Sequence, residues 1–276
     1  MNASDQPPTV FAASVRVTRH SGDREPEHCN DLVAVEEPLE IRVNTRPFAV
    51  VMRTPGHDLE LSAGYLLSEG LVTRRNQIVR IGPCRTRSAG EPDNVVVAEL
   101  TDIDASKLRA LTRRSATGSS CGTCGKTSID QVHQNYPPLT ASPSRATAAM
   151  IQSLPTQLVP HQNVFRSTGG LHGAALFHAD GTLVKVREDV GRHNAVDKVL
   201  GWALLNDALP LDGAVLFVSG RISFEIVQKA LAARIGVIAG ISAPTSLAVD
   251  FARASGQTLA GFVRDGRMNV YAGALR

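Results

Sequence analysis

The sequence predicts an α/β protein in which a small α+β region leads into a larger one built on a mixed, largely parallel sheet. Three observations point there. The apolar run "AVLFVSG" is followed by the helical pattern "SFEIVQKALAARIG", and "VIAGIS" followed by "TSLAVDFARASG" repeats that step; strand-to-helix alternation is the signature of a parallel sheet covered on both faces. The first third of the chain shows hairpin signals around a single helix instead. With 276 residues, 43% of them hydrophobic, the chain can bury a core without disulfide help.

Residues 1–30 read as a flexible N-terminal segment, polar and proline-containing, with one short strand near "ASVRVTR" and "SGDREPEHCN" as a mobile lead-in. Residues 31–112 form the small α+β domain. "PLEIRVNTRPFAVVMRTP" gives two strands around a turn at Asn44 to Arg46. "HDLELSAGYLLSEGL" gives a helix with Leu59, Ala63, Leu66, Leu67 and Leu71 near one face, Asp58 as its cap and Gly70 as its stop. "NQIVRIG" and "NVVVAEL" add two strands.

Residues 113–145 are rich in Ser, Thr, Gly and Pro and read as a loop or linker; loops of such length are usually functional or disordered. The third region, residues 146–276, opens with a helix over "RATAAMIQSLPTQ". A hairpin in "GAALFHADGTLVKVRE" follows, turning at Asp180 and Gly181, and then a helix over "HNAVDKVLGWALLND". Ser223 caps the next helix and Gly236 closes it. The chain ends in a hairpin around Asp265 and Gly266 within "LAGFVRDGRMNVYAG".

A net charge of +3 and an aromatic content of 4% argue against an obligate nucleic-acid binder, which needs a stronger basic field and stacking platforms. No apolar run approaches the length of a membrane span, and the opening "MNASDQPPTV" is not of leader type. The four cysteines, Cys29, Cys84, Cys121 and Cys124, are too few and too unevenly spaced for a disulfide scaffold. A reducing, cytoplasmic protein with thiols available for chemistry is the expectation.

Ligands of open α/β sheets sit beyond the carboxyl ends of the strands, at loops leading into helices. Two such junctions are polar: "SGRIS", with Ser219 and Arg221, and "SAPTS", with Ser242 and Thr245. Hydroxyls and backbone N–H groups at helix N-termini favour anions, although ordinary capping explains Ser223 and Thr245 as well. "FRSTGGLHGA" adds glycines and His172, while "REDVGRHN" gathers Glu188, Asp189, Arg192, His193 and Asn194 at a helix start. Asp189 can serve there as a cap and Glu188 as the partner of Arg192, or the whole group can line a cleft. In "FVRDGR", Arg264 and Arg267 flank a turn and could clamp a pyrophosphate if that turn faces the other loops.

The CxxC of "SSCGTCGK" lacks the second ligand pair of a structural zinc site. It also lacks the strand-to-helix setting of a thioredoxin-type centre. What fits is an exposed thiol nucleophile or carrier, activated by Lys126, Arg113 or Arg114, and sulfur transfer through a persulfide suits that chemistry.

Taken in order, "GSSCGTCGK", "FRSTGGLHGAALF", "REDVGRHNAVDKVLG", "SGRISFEIVQKA" and "ISAPTSLAVDFA" resemble the formate dehydrogenase accessory sulfur-carrier family, FdhD, over nearly the whole chain from about Leu32. The resemblance implies a sulfurtransferase that takes persulfide sulfur from a cysteine desulfurase. Its acceptor is the molybdenum bis(molybdopterin guanine dinucleotide) cofactor, bis-MGD, before insertion into formate dehydrogenase. It further implies a cytidine deaminase-like fold for residues 146–276, a homodimer, and no tightly bound metal of its own. By position, Cys121 would hold the persulfide and Cys124 would assist or resolve it. The family's nucleotide-binding stretch falls on Phe262, Val263, Arg264, Asp265, Gly266 and Arg267, and the cofactor's phosphates would meet Ser219, Arg221 and Ser242 beside His172. The chain lacks the HxE and PCxxC of true deaminases, so deaminase chemistry does not follow. The competing reading is a non-catalytic, cofactor-binding chaperone of formate dehydrogenase. A zinc-dependent nucleotide hydrolase is disfavoured by the ligand count.

Overall fold

The computed structural model describes residues 11–84, 94–101, 103, 136–140 and 146–276. Strands β1 (Ala12–Arg19) and β2 (Glu27–Ala34) form an antiparallel hairpin. Part of the expected lead-in, residues 27–30, therefore stands in a strand. β3 (Glu37–Val43) and β4 (Arg46–Arg53) turn through Asn44 and Thr45, both at positive φ, as a tight hairpin demands. With β5 (Ile78–Pro83) and β6 (Val95–Leu100) they make a four-stranded sheet in the order β4-β3-β6-β5.

Helix α1 (Asp58–Ser68) starts without a side-chain cap: His57 is the boundary residue, at φ 58°. The expected cap, Asp58, instead accepts two bonds of 3.0 Å from the buried Arg53 guanidinium, which also reaches Glu37 and Asn94. A bidentate guanidinium bond outcompetes a neutral backbone one. Gly70 ends the helix as expected, at φ 75°, with its N–H on the Leu67 carbonyl and that of Leu71 on Leu66.

The larger sheet has six strands in the order β12-β11-β10-β9-β7-β8. These are β7 (His172–Phe177), β8 (Leu183–Asp189), β9 (Val215–Val218), β10 (Val237–Gly240), β11 (Thr258–Arg264) and β12 (Arg267–Ala272). The sheet is mixed, and its parallel part is confined to β9, β10 and β11; β7 pairs antiparallel with both β8 and β9, and β12 antiparallel with β11. The strand period of two sorts the side chains between two cores. Ala174, Leu176, Leu216, Val218 and Ile238 face one core, and Ala175, Phe177, Val215, Phe217 and Ala239 the other.

The second of these cores is closed by α2 (Ala148–Leu158), through Ile151, Leu154 and Leu158. A short helix, α3 (Asn163–Thr168), follows it. The first core is closed by α4 (Arg192–Leu205), α5 (Phe224–Ala232) and α6 (Ser246–Ala254), and it continues through α1 to Leu39, Ile41, Val96 and Ala98 of the four-stranded sheet. The α1–α4 crossing depends on two glycines. A Cβ on Gly64 would lie 1.9 Å from the Asp197 carbonyl oxygen, and one on Gly201 would lie 1.7 Å from that of Glu60. The same contact buries an ion pair, Lys229 Nζ to both Asp197 oxygens at 2.8 Å, with the Ser68 hydroxyl donating to Asp197 at 2.7 Å.

The α5 helix departs from expectation at both ends. Ser223 is its boundary residue but makes no side-chain cap bond, and Arg234, at φ 61°, rather than Gly236 takes the left-handed position after its last turn. No helix among the described residues is long and apolar enough to cross a membrane.

Candidate functional site: a cleft at the carboxyl ends of the parallel strands

The loops after β9 and β10 lie side by side. Ile222 and Pro244 form a parallel bridge, the Ile222 N–H donates to the Ala243 carbonyl at 3.1 Å, and the Thr245 N–H donates back to Ile222 at 3.0 Å. The two polar junctions read from the sequence thus form one continuous ledge. Thr245 caps α6, its hydroxyl accepting from the Ala248 N–H, whereas Ser219 staples the ledge to β7 by accepting from the Gly173 N–H at 2.9 Å.

The β11–β12 hairpin overhangs this ledge. β10 ends at Gly240, opposite the middle of β11, so residues 262–267 project beyond it. The Phe262 N–H donates to the Ser242 carbonyl at 3.2 Å, and Gly261 sits so close that a Cβ there would be 2.8 Å from the Pro244 ring. Phe262 itself is at φ 54°, inside a register shift between Gly261 and Arg264. A bulky residue seldom adopts that conformation, and such strain clusters at ligand sites. Phe262 is 37% exposed, and the Arg264 guanidinium lies 5.8 Å from its ring centroid. Arg264 and Arg267 face each other across the turn, with Asp265 and Gly266 exposed at its tip. Val263 points the other way, fully buried in the second core, so only its backbone belongs to the site.

On the opposite flank, β7 runs antiparallel to β9, which places its first residue, His172, at the carboxyl end of β9. Gly220 makes room for it: a Cβ there would be 3.1 Å from His172 Nδ1 and 3.6 Å from Arg192 Cβ. Burial pushes the His172 imidazole below its ordinary value, and the charges of Arg192, His193 and Arg221 push the same way against Asp189. Neutral His172 thus stands among cations that favour an anion. Arg192 adds a buried Nε with no hydrogen-bond partner among the described residues.

"REDVGRHN" divides its work. Asp189 is buried, holds Lys198 Nζ at 2.7 Å, and accepts from the Gly191 N–H and the Asn194 amide, while Gly191 is the boundary residue of α4. Glu188 does not pair with Arg192. It accepts the N–H groups of Val164 and Phe165 at the start of α3, and burial raises its carboxyl despite those two bonds. His193 Nε2 lies 2.6 Å from Glu225 Oε2 and 3.0 Å from the Ser223 hydroxyl. Glu225 was not legible as a site residue, because an acid in a first helical turn ordinarily complements the helix dipole.

Cys121 and Cys124, with most of the loop or linker expected over residues 113–145, lie outside the described residues. Among those residues no cluster of His, Cys, Asp and Glu has the makings of a metal site.

Residues 34–276 match the FdhD/NarQ family. A Streptomyces coelicolor protein named sulfur carrier protein FdhD is 49% identical over 250 residues, covering 89% of each chain. A Mycobacterium tuberculosis protein of the same name is 46% identical over 273 residues, covering 96% of this chain and 99% of that one. A crystal structure of a proposed formate dehydrogenase accessory protein from Desulfotalea psychrophila superposes with a TM-score of 0.75 at 25% identity, covering 95% of this chain and 97% of that one. With the family match spanning residues 34–276 and relatives at 46–49% identity over most of their length, this chain belongs to the FdhD/NarQ family.

Proposed function

We propose that this protein is the sulfur carrier of a formate dehydrogenase, accepting sulfane sulfur as a persulfide on Cys121 from a cysteine desulfurase and passing it to bis-MGD bound in the cleft. Cys124 assists or resolves that persulfide, and the protein works in the cytoplasm as a homodimer. The names of its relatives support the carrier role. The observation that supports the acceptor is Phe262, an exposed aromatic ring on a strained, bulged backbone at the carboxyl ends of the parallel strands, with Arg264 against it. A ring so placed can stack a guanine base. Arg264 and Arg267 suit the adjoining phosphates, and Arg221 and Arg192 extend the cationic lining across the ledge.

Calorimetric titration with GDP, a fragment of bis-MGD, tests the site. Wild type is expected to bind it, and Phe262→Ala and Arg264→Ala each to weaken binding by about tenfold or more, the worth of a lost base stack or charge-assisted contact. Absence of GDP binding by wild type, or equal affinity in both variants, contradicts the assignment.

A further inference from the structure

A cavity of about 560 Å³ lies at the opposite ends of α4 and α5 from the cleft. Its size is that of a site for one small organic molecule. The first turns of these helices carry Arg192, His193 and Glu225. Their last turns wall the cavity, with Leu204 and Asp207 from α4 and Leu231 and Arg234 from α5.

Both helices end there in the same way. Asp207 at φ 53° and Arg234 at φ 61° stand in left-handed positions, while the N–H groups of Ala208 and Ile235 return to the Ala203 and Ala230 carbonyls at 2.8 and 2.9 Å. Glycine usually fills that position. An arginine there goes against the backbone preference, a departure that clusters at ligand sites. A tight turn at residues 73–77 borders the cavity as well. Gln77 Oε1 accepts the N–H groups of Thr73 and Arg74 at 2.7 and 3.0 Å, and Arg75 donates to the Ile78 carbonyl at 2.6 Å. This turn holds Arg74 and Arg75 at the margin of the cavity.

Charge and surface together select the ligand. Three arginines meet one carboxylate among the lining residues, that of Asp207, so the lining stays cationic even with Asp212 offsetting Arg234 at 3.2 Å. Arg74 has no ion-pair partner among the described residues. Leu209, Pro210 and Pro137 extend the apolar wall begun by Leu204 and Leu231. An apolar body released from water against such a wall gains free energy with area, and a guanidinium beside it takes a carboxylate, sulfonate or phosphate by a charge-assisted bond.

We propose that this cavity is a binding site, separate from the cleft, for a small amphipathic anion: an apolar ring or chain bearing one anionic group, with Arg74 as the partner of the anion. The inference uses neither the cysteines nor the carrier reading.

The test titrates the full chain with anilinonaphthalene sulfonate, followed by fluorescence, with the neutral dye phenylnaphthylamine as control. Wild type is expected to bind the sulfonate saturably at one site, about tenfold more tightly than the neutral dye, the worth of a charge-assisted contact. Saturating GDP should leave that binding unchanged. Arg74→Glu, at an exposed position, should weaken sulfonate binding about tenfold and spare the neutral dye. Ala232→Trp, which fills the cavity from α5, should abolish binding of both. Unchanged thermal unfolding certifies the fold of each variant, and a loosened variant would bind more dye rather than less. The proposal is overturned if wild type shows no saturable sulfonate binding, if it binds both dyes equally, or if GDP displaces the sulfonate. Wild-type affinity for the sulfonate in Arg74→Glu and Ala232→Trp overturns it as well.

Discussion

His172 shows how single residues report on the cleft. Its imidazole is held below the ordinary value of 6.5, first by burial and then by Arg192, His193 and Arg221. The unfolded chain therefore takes up this proton before the folded one does. Stability should begin to fall as pH drops through about 6.5 and go on falling until the folded imidazole is itself protonated. His172→Gln should remove that part of the acid sensitivity in denaturant titrations. Proton NMR of the free protein should place the His172 midpoint below 6.5, and saturating GDP should raise it, because phosphates offset the arginines beside it. A midpoint that GDP leaves unmoved would separate His172 from the anion site. That His172, Arg221 and Ser242 stand at the strand ends was legible in the sequence, because strand-to-loop junctions announce themselves. Glu225 was not, since nothing in the spacing of "SFE" shows which histidine it will meet. Val263 illustrates the reverse: it falls in the stretch expected to bind the nucleotide, yet strand alternation turns its side chain into the core.

Among the elements, the α1–α4 crossing joins the two sheets, and Gly64 and Gly201 set its depth. Gly64→Ala would drive a methyl group into the Asp197 backbone, 1.9 Å from its oxygen, with no flexible side-chain end to yield. We expect a loss of about 3 kcal/mol or more in urea denaturation. A change within about 0.5 kcal/mol would mean that the crossing readily widens. The sequence showed α1 and α4 as helices but not that they touch, because close backbone approach leaves no trace beyond a glycine in each. Nor could it orient β7. Apolar runs such as "GAALF" and "AVLFV" mark buried strands without stating their direction, and the antiparallel insertion of β7 beside β9 is what carries His172 to the cleft. Caps failed as signals where stronger bonds were on offer: Asp58 went to Arg53 and Ser223 to His193. Turn residues did better. The hairpins at Asn44, Gly181 and Gly266 fall where the sequence put them, because positive φ restricts the residues that can stand there.

Across the whole molecule, the loops after β9 and β10, the turn of the last hairpin and His172 come together at one end of the six-stranded sheet, while Glu188 and Asp189 serve α3 and Lys198. The β11–β12 hairpin, the paired loops after β9 and β10, and the start of β7 lie together there as the candidate site. That convergence follows from topology: β9, β10 and β11 run parallel, so their carboxyl ends coincide, and β7 runs against them, so its amino end joins them. In the proposed function such an arrangement holds the acceptor while a thiol approaches, and the sulfur chemistry proposed for the chain rests on Cys121. The most direct test is peptide mapping by mass spectrometry after incubation with cysteine desulfurase and cysteine, paired with formate dehydrogenase activity in cells carrying Cys121→Ser. Added sulfur on the Cys121 peptide of wild type, with an inactive dehydrogenase that still contains its cofactor in the variant, is the result this account predicts. An unmodified Cys121 peptide, or full dehydrogenase activity with Cys121→Ser, would contradict it and leave a cofactor-binding chaperone as the better reading.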